Sequence, residues 1–376
     1  MHLVLLIFTL SFAASIQDTR SRTLTSAPNP DAQTSRQNLD RSIAARFAPV
    51  FLQGLGETPR ADYITNFDFD SDWKGDNNWN NLDNRSFPLR AWVYYSVVET
   101  STHYFVHYAV FHPRDYKGGL AASTALGALI KAGLERLGKD PTTGLARSLS
   151  LSHENDLEGC LVVAAKRGSG LDSAVVEYVE TVSHNRFLKY RTAEGRSDIG
   201  ETIETRAQQP VLFVEPKGHG ISRFTDDPEQ SRKSVNGMIT YVYAARADDP
   251  ASVEGTAEGV DIGYDLTPIS ETLWKHALTG ANETYGEAGE YRAFRLRSAG
   301  ATGSAFRGQV GFAQNMARPP WGWFDESETD RPVGEWFFDP AAVIARHFGL
   351  DENFATGYVY HPYLNLTQGR KGAKAQ

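Results

Sequence analysis

The segment Leu151-Ser-His-Glu-Asn-Asp-Leu-Glu-Gly159 holds the densest set of side chains able to do chemistry. It runs into an apolar stretch, residues 157–165, whose composition reads as a β-strand. Side chains alternate between faces along a strand, so Asp156 and Glu158 project to one side with Cα atoms roughly 6.5 Å apart. Cys160 and Val162 continue that face and are apolar. Two carboxylates at the head of an apolar face are costly to bury unless something compensates their charge. A divalent cation is one such partner: hard ions take oxygen ligands, and an imidazole can complete the shell. His153 would reach it from the preceding loop, because three residues before Asp156 is the wrong parity for a flat strand. The alternative is that Arg or Lys side chains pair with both carboxylates and that His153 is an ordinary loop residue.

The elements around this segment read as mainly β. Residues 92–98 and 103–111 are β-branched and aromatic runs flanking the polar turn Glu99-Thr-Ser-Thr102, a hairpin pattern. On the second run His103, Phe105, His107, Ala109 and Phe111 share one face, and Tyr104, Val106, Tyr108 and Val110 share the other. Both faces are largely apolar, which implies a central strand covered on both sides. Leu126, Leu129, Ile130, Leu134 and Leu137 recur at helical spacing before Gly138, which predicts a helix over residues 120–138. Strand signals return at 174–182, 211–215, 238–244 and 291–296, and residues 270–278 and 340–348 read as helical. The expectation is one antiparallel β-sandwich over residues 41–366 with a few helical insertions. Residues 16–40 are expected to form a flexible, polar leader before it, and residues 367–376 a tail after it.

Two stretches resemble a known family. His153-x-x-Asp156-x-Glu158, followed by Gly159 and an apolar strand, resembles the heptapeptide centre of the necrosis- and ethylene-inducing peptide 1-like proteins. The related Vps62-type proteins carry a similar His/Asp/Glu core. His107-Tyr-Ala-Val-Phe-His-Pro-Arg-Asp115 is similar to the strand of the necrosis-inducing family that ends in aromatic-Pro-basic-Asp, where the Asp is a metal ligand. The resemblance therefore implies a divalent-metal site, Ca or Mg rather than Zn, built from Asp115, His153, Asp156 and Glu158. His112, beside Pro113, would orient a ligand. Val214-Glu-Pro-Lys-Gly-His-Gly220 is similar to a Vps62-type turn and places His219 near the same site. The implied protein is secreted, nearest to the secreted bacterial members of that superfamily, and binds a membrane glycolipid or glycan through the ion. The sequence departs from the pattern at Ser152, Glu154, Asn155 and Leu157, and lacks the paired cysteines of many of those toxins.

The remaining features narrow the function classes. A formal net charge of −8, with no Lys/Arg cluster outside residues 370–374, argues against nucleic acid as partner. Residues 1–15 read as a signal peptide, an apolar run ending in Ala13-Ala-Ser15 that is shorter than the about 20 residues a bilayer span needs. The single cysteine, Cys160, excludes an internal disulfide and reads as a small buried hydrophobe. Asp68, Asp70 and Asp72 have the spacing of a calcium loop but lack its Gly and Glu positions. His103 and His107 would line a cleft or sit satisfied in the sheet. The aromatic group Trp321, Trp323, Phe324, Trp336, Phe337 and Phe338 would grip sugar or lipid if exposed, or cover the sheet if buried. A second function class stays open: a secreted metal-assisted hydrolase, glycosidase or phosphodiesterase, using Asp156 and Glu158 as an acid–base pair.

Overall fold

A computed structural model describes residues 30–73, 75, 77–116, 133, 136, 152–253, 261–279, 290–291, 294–295, 309–310, 313–314, 318–331 and 334–364. The signal-peptide segment, the tail and nearly all of the expected helix 120–138 lie outside them. The chain divides into two compact units, Met1–Asn38 and Leu39–Gln376. A helix, α1 (Pro30–Arg46), begins inside the stretch expected to be a leader. Its start carries Pro30 and Asp31, a rigid φ and a first-turn acid that both favour a helix N-terminus.

The second unit is built on one sheet. Its strands are β1 (Val50–Gly54), β2 (Trp92–Thr100), β3 (His103–Asp115), β4 (His153–Ala165), β5 (Val175–Val182) and β6 (Phe187–Arg191). They continue with β7 (Glu201–Thr202), β8 (Thr205–Arg206), β9 (Gln209–Val214), β10 (Ile221–Arg223), β11 (Met238–Tyr243) and β12 (Asp261–Pro268). With the strand Tyr358–Tyr360 they make a 13-stranded sheet ordered β10-β9-β1-β11-β12-β2-β3-β4-β5-β6-β7, with β8 on β9 and Tyr358–Tyr360 on β2.

The hairpin β2–β3 and the pairs β3–β4, β4–β5 and β5–β6 are antiparallel, as the alternation implied. In place of two facing antiparallel sheets, however, the strands join one curled, mixed sheet. β1–β9, β11–β12, β12–β2 and β6–β7 are parallel pairs. β12 makes the join, pairing through Asp261–Tyr264 with β11 and through Asp265–Pro268 with β2. The curl brings β10 against β5, where the Thr181 hydroxyl donates to the Ile221 carbonyl at 2.6 Å.

The period-2 alternation of β3 sorts two cores. Val106, Tyr108 and Val110 pack inside the curl with Phe51, Tyr241 and Tyr264. Phe105, Ala109 and Phe111 face the other way, under Trp321, Trp323, Trp336, Phe337, Phe338 and the helix Pro340–Phe348. These C-terminal aromatics are buried, apart from the partly covered Phe324, so they cover the sheet and present no grip for a ligand. Cys160 lies fully buried in the inner core, where burial pushes its thiol pKa up.

Candidate functional site: an acid–imidazole cluster at one end of the sheet

The β3–β4 register sets the site. It pairs Asp115 with His153, His112 with Asp156 and Val110 with Glu158. Asp156 and Glu158 lead onto the face of Cys160, toward the inner core, while Leu157 faces the outer core. By the same alternation Asp115 and His153 fall on the opposite parity. Between the two pairs Asn155 adopts φ +55°, a left-handed conformation that Asn tolerates better than most residues, and this interrupts the pleat.

The kink is pinned from outside. The Asn155 amide donates to the Gly75 carbonyl at 2.8 Å and accepts from Asn78 at 2.7 Å, and Glu154 accepts from the Trp79 N–H at 2.7 Å. Arg114 closes the arrangement, lying 4.5 Å over the Trp79 ring and donating to Asp83 at 2.8 Å. The described residues of the stretch 68–84, rich in Asp and Asn, thus serve to clamp the head of β4. Their carboxylates are occupied by neighbouring amides, Asp70 with Asn81 at 2.6 Å and Asp72 with Asn77 at 3.0 Å.

His153 turns Nδ1 to the Asn155 carbonyl at 3.0 Å and Nε2 to Asp115 Oδ2 at 3.3 Å. Asp156 belongs to a second group. Its Oδ2 accepts from His219 Nδ1 at 2.9 Å, and His219 Nε2 lies 3.3 Å from Asp62 Oδ1. Asp62 is itself fixed by the backbone N–H groups of Gly56 and Lys217, each at 2.7 Å. Burial, the largest influence on His219, opposes its charge, yet hydrogen bonds and attraction to Asp156 and Asp62 outweigh it and push the pKa up to about 9. The imidazolium is stacked on His112, with ring centroids 3.7 Å apart and planes 6° from parallel. His112 is held neutral, its pKa well below the usual value through burial and then the His219 charge, and its Nε2 lies 3.1 Å from Gln53 Oε1.

Glu158 is the most exposed to penalty. Burial, then the neighbouring Asp156 and Glu215, hold its pKa well above the carboxylate range. One oxygen accepts a long bond from the His184 N–H at 3.4 Å; the other, Oε2, is buried without a hydrogen-bond partner. His184 Nε2 in turn contacts Glu215, which Lys233 approaches at 3.3 Å. His184, Lys217 and His219 have φ of +52°, +71° and +52°. Three non-glycine residues held left-handed around one cluster mark backbone that the surrounding structure over-determines, a pattern common at functional sites.

The six residues expected at a metal site therefore fall into two groups, Asp115 with His153 and Asp156 with Glu158, His219 and His112. Among the described residues no set of three or more His, Cys, Asp or Glu side chains is already gathered as a metal centre. An orphaned, buried carboxylate oxygen beside a second carboxylate is nonetheless the donor type a hard cation takes. Sequence reasoning missed Asp62, His184, Glu215 and Gln53. Asp62, His184 and Gln53 carry no local motif and come in through tertiary contacts alone, whereas Glu215 lies in the turn segment 214–220 already singled out for His219. His103 and His107 lie away from this cluster: His103 meets Glu177, and His107 meets the Trp336 carbonyl.

No family model matches the chain, and no curated protein matches it. Three solved structures resemble it. One, described as a toxin fold for microbial attack and plant defense, shares 10% identity with a TM-score of 0.29 over 64% of this chain and 80% of that one. A non-toxic HaNLP3 protein shares 11% at a TM-score of 0.25 over 52% and 60%. Necrosis and Ethylene inducing Protein 2, from the causal agent of cocoa's Witches Broom disease, shares 14% at a TM-score of 0.24 over 60% and 72%. Scores of this size assign the chain to no family and transfer no ligand. Among the described residues no helix is long and apolar enough to cross a membrane.

Proposed function

We propose that the protein is a secreted, metal-dependent glycan- or glycolipid-binding protein whose divalent ion, Ca or Mg, sits against Asp156 and Glu158. The observation that carries this reading is the buried Glu158 oxygen without a partner next to a second carboxylate. A cation there supplies the missing ligand, removes the repulsion and lets Glu158 ionise. His219 then serves to hold Asp156 in place from behind. Asp115 and His153, three residues further along the same strand pair, extend the donor set once the head of β4 adjusts around the ion. An ion at the sheet end can hold the surrounding loops and coordinate sugar hydroxyls.

The test is thermal unfolding with and without calcium or magnesium, followed by binding to glycan arrays and liposomes. Stabilisation of several degrees by one ion is expected for a ligand that favours the folded state, with loss of both that stabilisation and the metal-dependent glycan binding in Asp156→Ala. Undiminished ion-induced stabilisation in that variant, or equal binding by it of a glycan that wild type binds only with the ion present, would rule the reading out. Metal-dependent stability with no ligand on any array would leave an ion that only clamps loops.

The raised pKa of Glu158 also favours a second reading, in which Glu158 is a general acid beside Asp156 in a metal-assisted hydrolase. Turnover of chromogenic glycosides or phosphodiesters by the wild type and not by Glu158→Gln would support it; equal turnover by both removes it.

A further inference from the structure

At the opposite end of the β3–β4 pair, where His103 meets Ala165, a cavity of about 300 Å³ opens. It lies between the β2–β3 turn, the start of β5, residues 196–197 and the segment 349–354. Its polar floor is built and buried. His103 and Glu177 are 6% and 5% exposed, with His103 Nε2 3.2 Å from Glu177 Oε2 and His103 Nδ1 2.8 Å from the Thr102 hydroxyl. Phe354 lies against His103 with ring centroids 4.4 Å apart and gives the wall an apolar plane. The cavity joins a flat apolar surface to convergent polar groups, the combination that ligand pockets share.

The charges around it are unevenly matched. Arg167 pairs with Glu177. Lys166 binds Glu99 and the Thr100 carbonyl, both at 2.8 Å, and lies over the Tyr104 ring. Asp351 accepts from the Asn353 backbone and side-chain amides at 3.0 and 3.1 Å. Among the described residues, Arg196 is the lining cation whose guanidinium makes no ion pair, and it is exposed at the rim.

We propose that this cavity binds a single sugar ring bearing a carboxylate, of the hexuronate class. Arg196 takes the carboxylate, for which a planar guanidinium is the matched donor. The ring lies against the exposed edge of Phe354, and its hydroxyls meet the Glu177 carboxylate, which His103 holds in place, and the Ser197 hydroxyl. The Ser197 hydroxyl donates to the Phe348 carbonyl at 2.6 Å and accepts from the Ile199 N–H at 3.0 Å, which leaves one lone pair for a ligand hydroxyl. The volume lies at the lower end for ligand pockets and suits one ring rather than a chain. The buried Glu177 carboxylate in the floor disfavours a phosphate dianion seated deep. The site needs no metal and is independent of the function proposed for Asp156 and Glu158.

Isothermal titration of the full chain with glucuronate, glucose and acetate tests it, in EDTA. Expected are saturable glucuronate binding, glucose and acetate each at least tenfold weaker, and at least a tenfold loss in Arg196→Gln, or about 1.4 kcal/mol. Glu177→Gln should weaken glucose and glucuronate alike. Because Arg196 is exposed, its replacement leaves the fold intact, which circular dichroism checks. Absence of saturable glucuronate binding, equal affinity for glucose, or an Arg196→Gln variant that binds as well as wild type would each overturn the proposal. So would binding that appears only when calcium or magnesium replaces EDTA.

Discussion

Two regions of the molecule bury histidine completely and leave it in different charge states. At the acid end, His219 is clamped between Asp156 and Asp62, and its pKa rises to about 9. On the outer face, His107 and His361 reach only carbonyls, those of Trp336 and Phe338, at 3.0 Å each. There burial dominates and lowers their pKa values to about 4 and about 3. The Nε2 of each donates to its carbonyl, while each Nδ1 is buried without a hydrogen-bond partner, so a second proton would bring a donor with nothing to meet. Burial alone is thus not what sets the charge; the partner is. At His219 the two carboxylates outweigh burial and favour the cation, while the carbonyls at His107 and His361 do not.

The largest effect is expected where the clamp is broken. Asp62→Asn leaves His219 with one carboxylate, and removing one partner of a buried ion pair costs about 3–5 kcal/mol. Urea unfolding at pH 7 measures it, and a cost below that of a surface substitution would mean His219 is not held charged.

Next comes acid. The unfolded chain protonates His107 and His361 as pH falls below 6.5, while the folded chain resists until about 4 and about 3. The contribution of these two histidines is therefore whole above pH 6.5 and is lost as pH drops toward 4, by roughly 3 kcal/mol from His107 alone. His107→Gln, which keeps a donor for the Trp336 carbonyl, should flatten that part of the pH profile measured by urea unfolding between pH 7 and 4.

A smaller effect of opposite sign separates function from stability. Without added metal, Glu158→Gln removes an unfavourable buried acid and should stabilise the fold by about 1 kcal/mol. The same variant should lose the stabilisation that calcium or magnesium gives wild type. The smallest effect belongs to the exposed edge of the clamp on β4. Asp83→Asn removes the ion pair with Arg114 and should cost under about 1 kcal/mol, since Asp83 is largely exposed while Trp79 still covers the guanidinium.

What could be read from residues alone follows the same division between local and distant causes. The faces of β3 were legible because period-2 alternation is a property of consecutive residues, and Phe105 and Tyr108 sort as that alternation requires. The helix Pro340–Phe348 was legible through its apolar spacing and Gly349 after its end. The joining of β12 to both β11 and β2, and the parallel pair β1–β9, were not, because such pairings are fixed by the curl of the whole sheet. Strand parity grouped Asp156 with Glu158 and separated His153. It had no way to supply Asp62, which comes from a 3₁₀ turn remote in sequence and reaches the cluster through His219. The helical start at Pro30 was hidden because residues 30–42 are polar and resemble a leader.

The function proposed for the acid end depends on a cation beside Asp156 and Glu158. Elemental analysis of the protein purified without chelator, alongside Asp156→Ala, tests this most directly. The expected result is calcium or magnesium at about one ion per chain in wild type, absent from a variant that remains folded. Wild-type protein free of bound metal even after dialysis against millimolar calcium and magnesium, or a variant that retains the full complement, would contradict it.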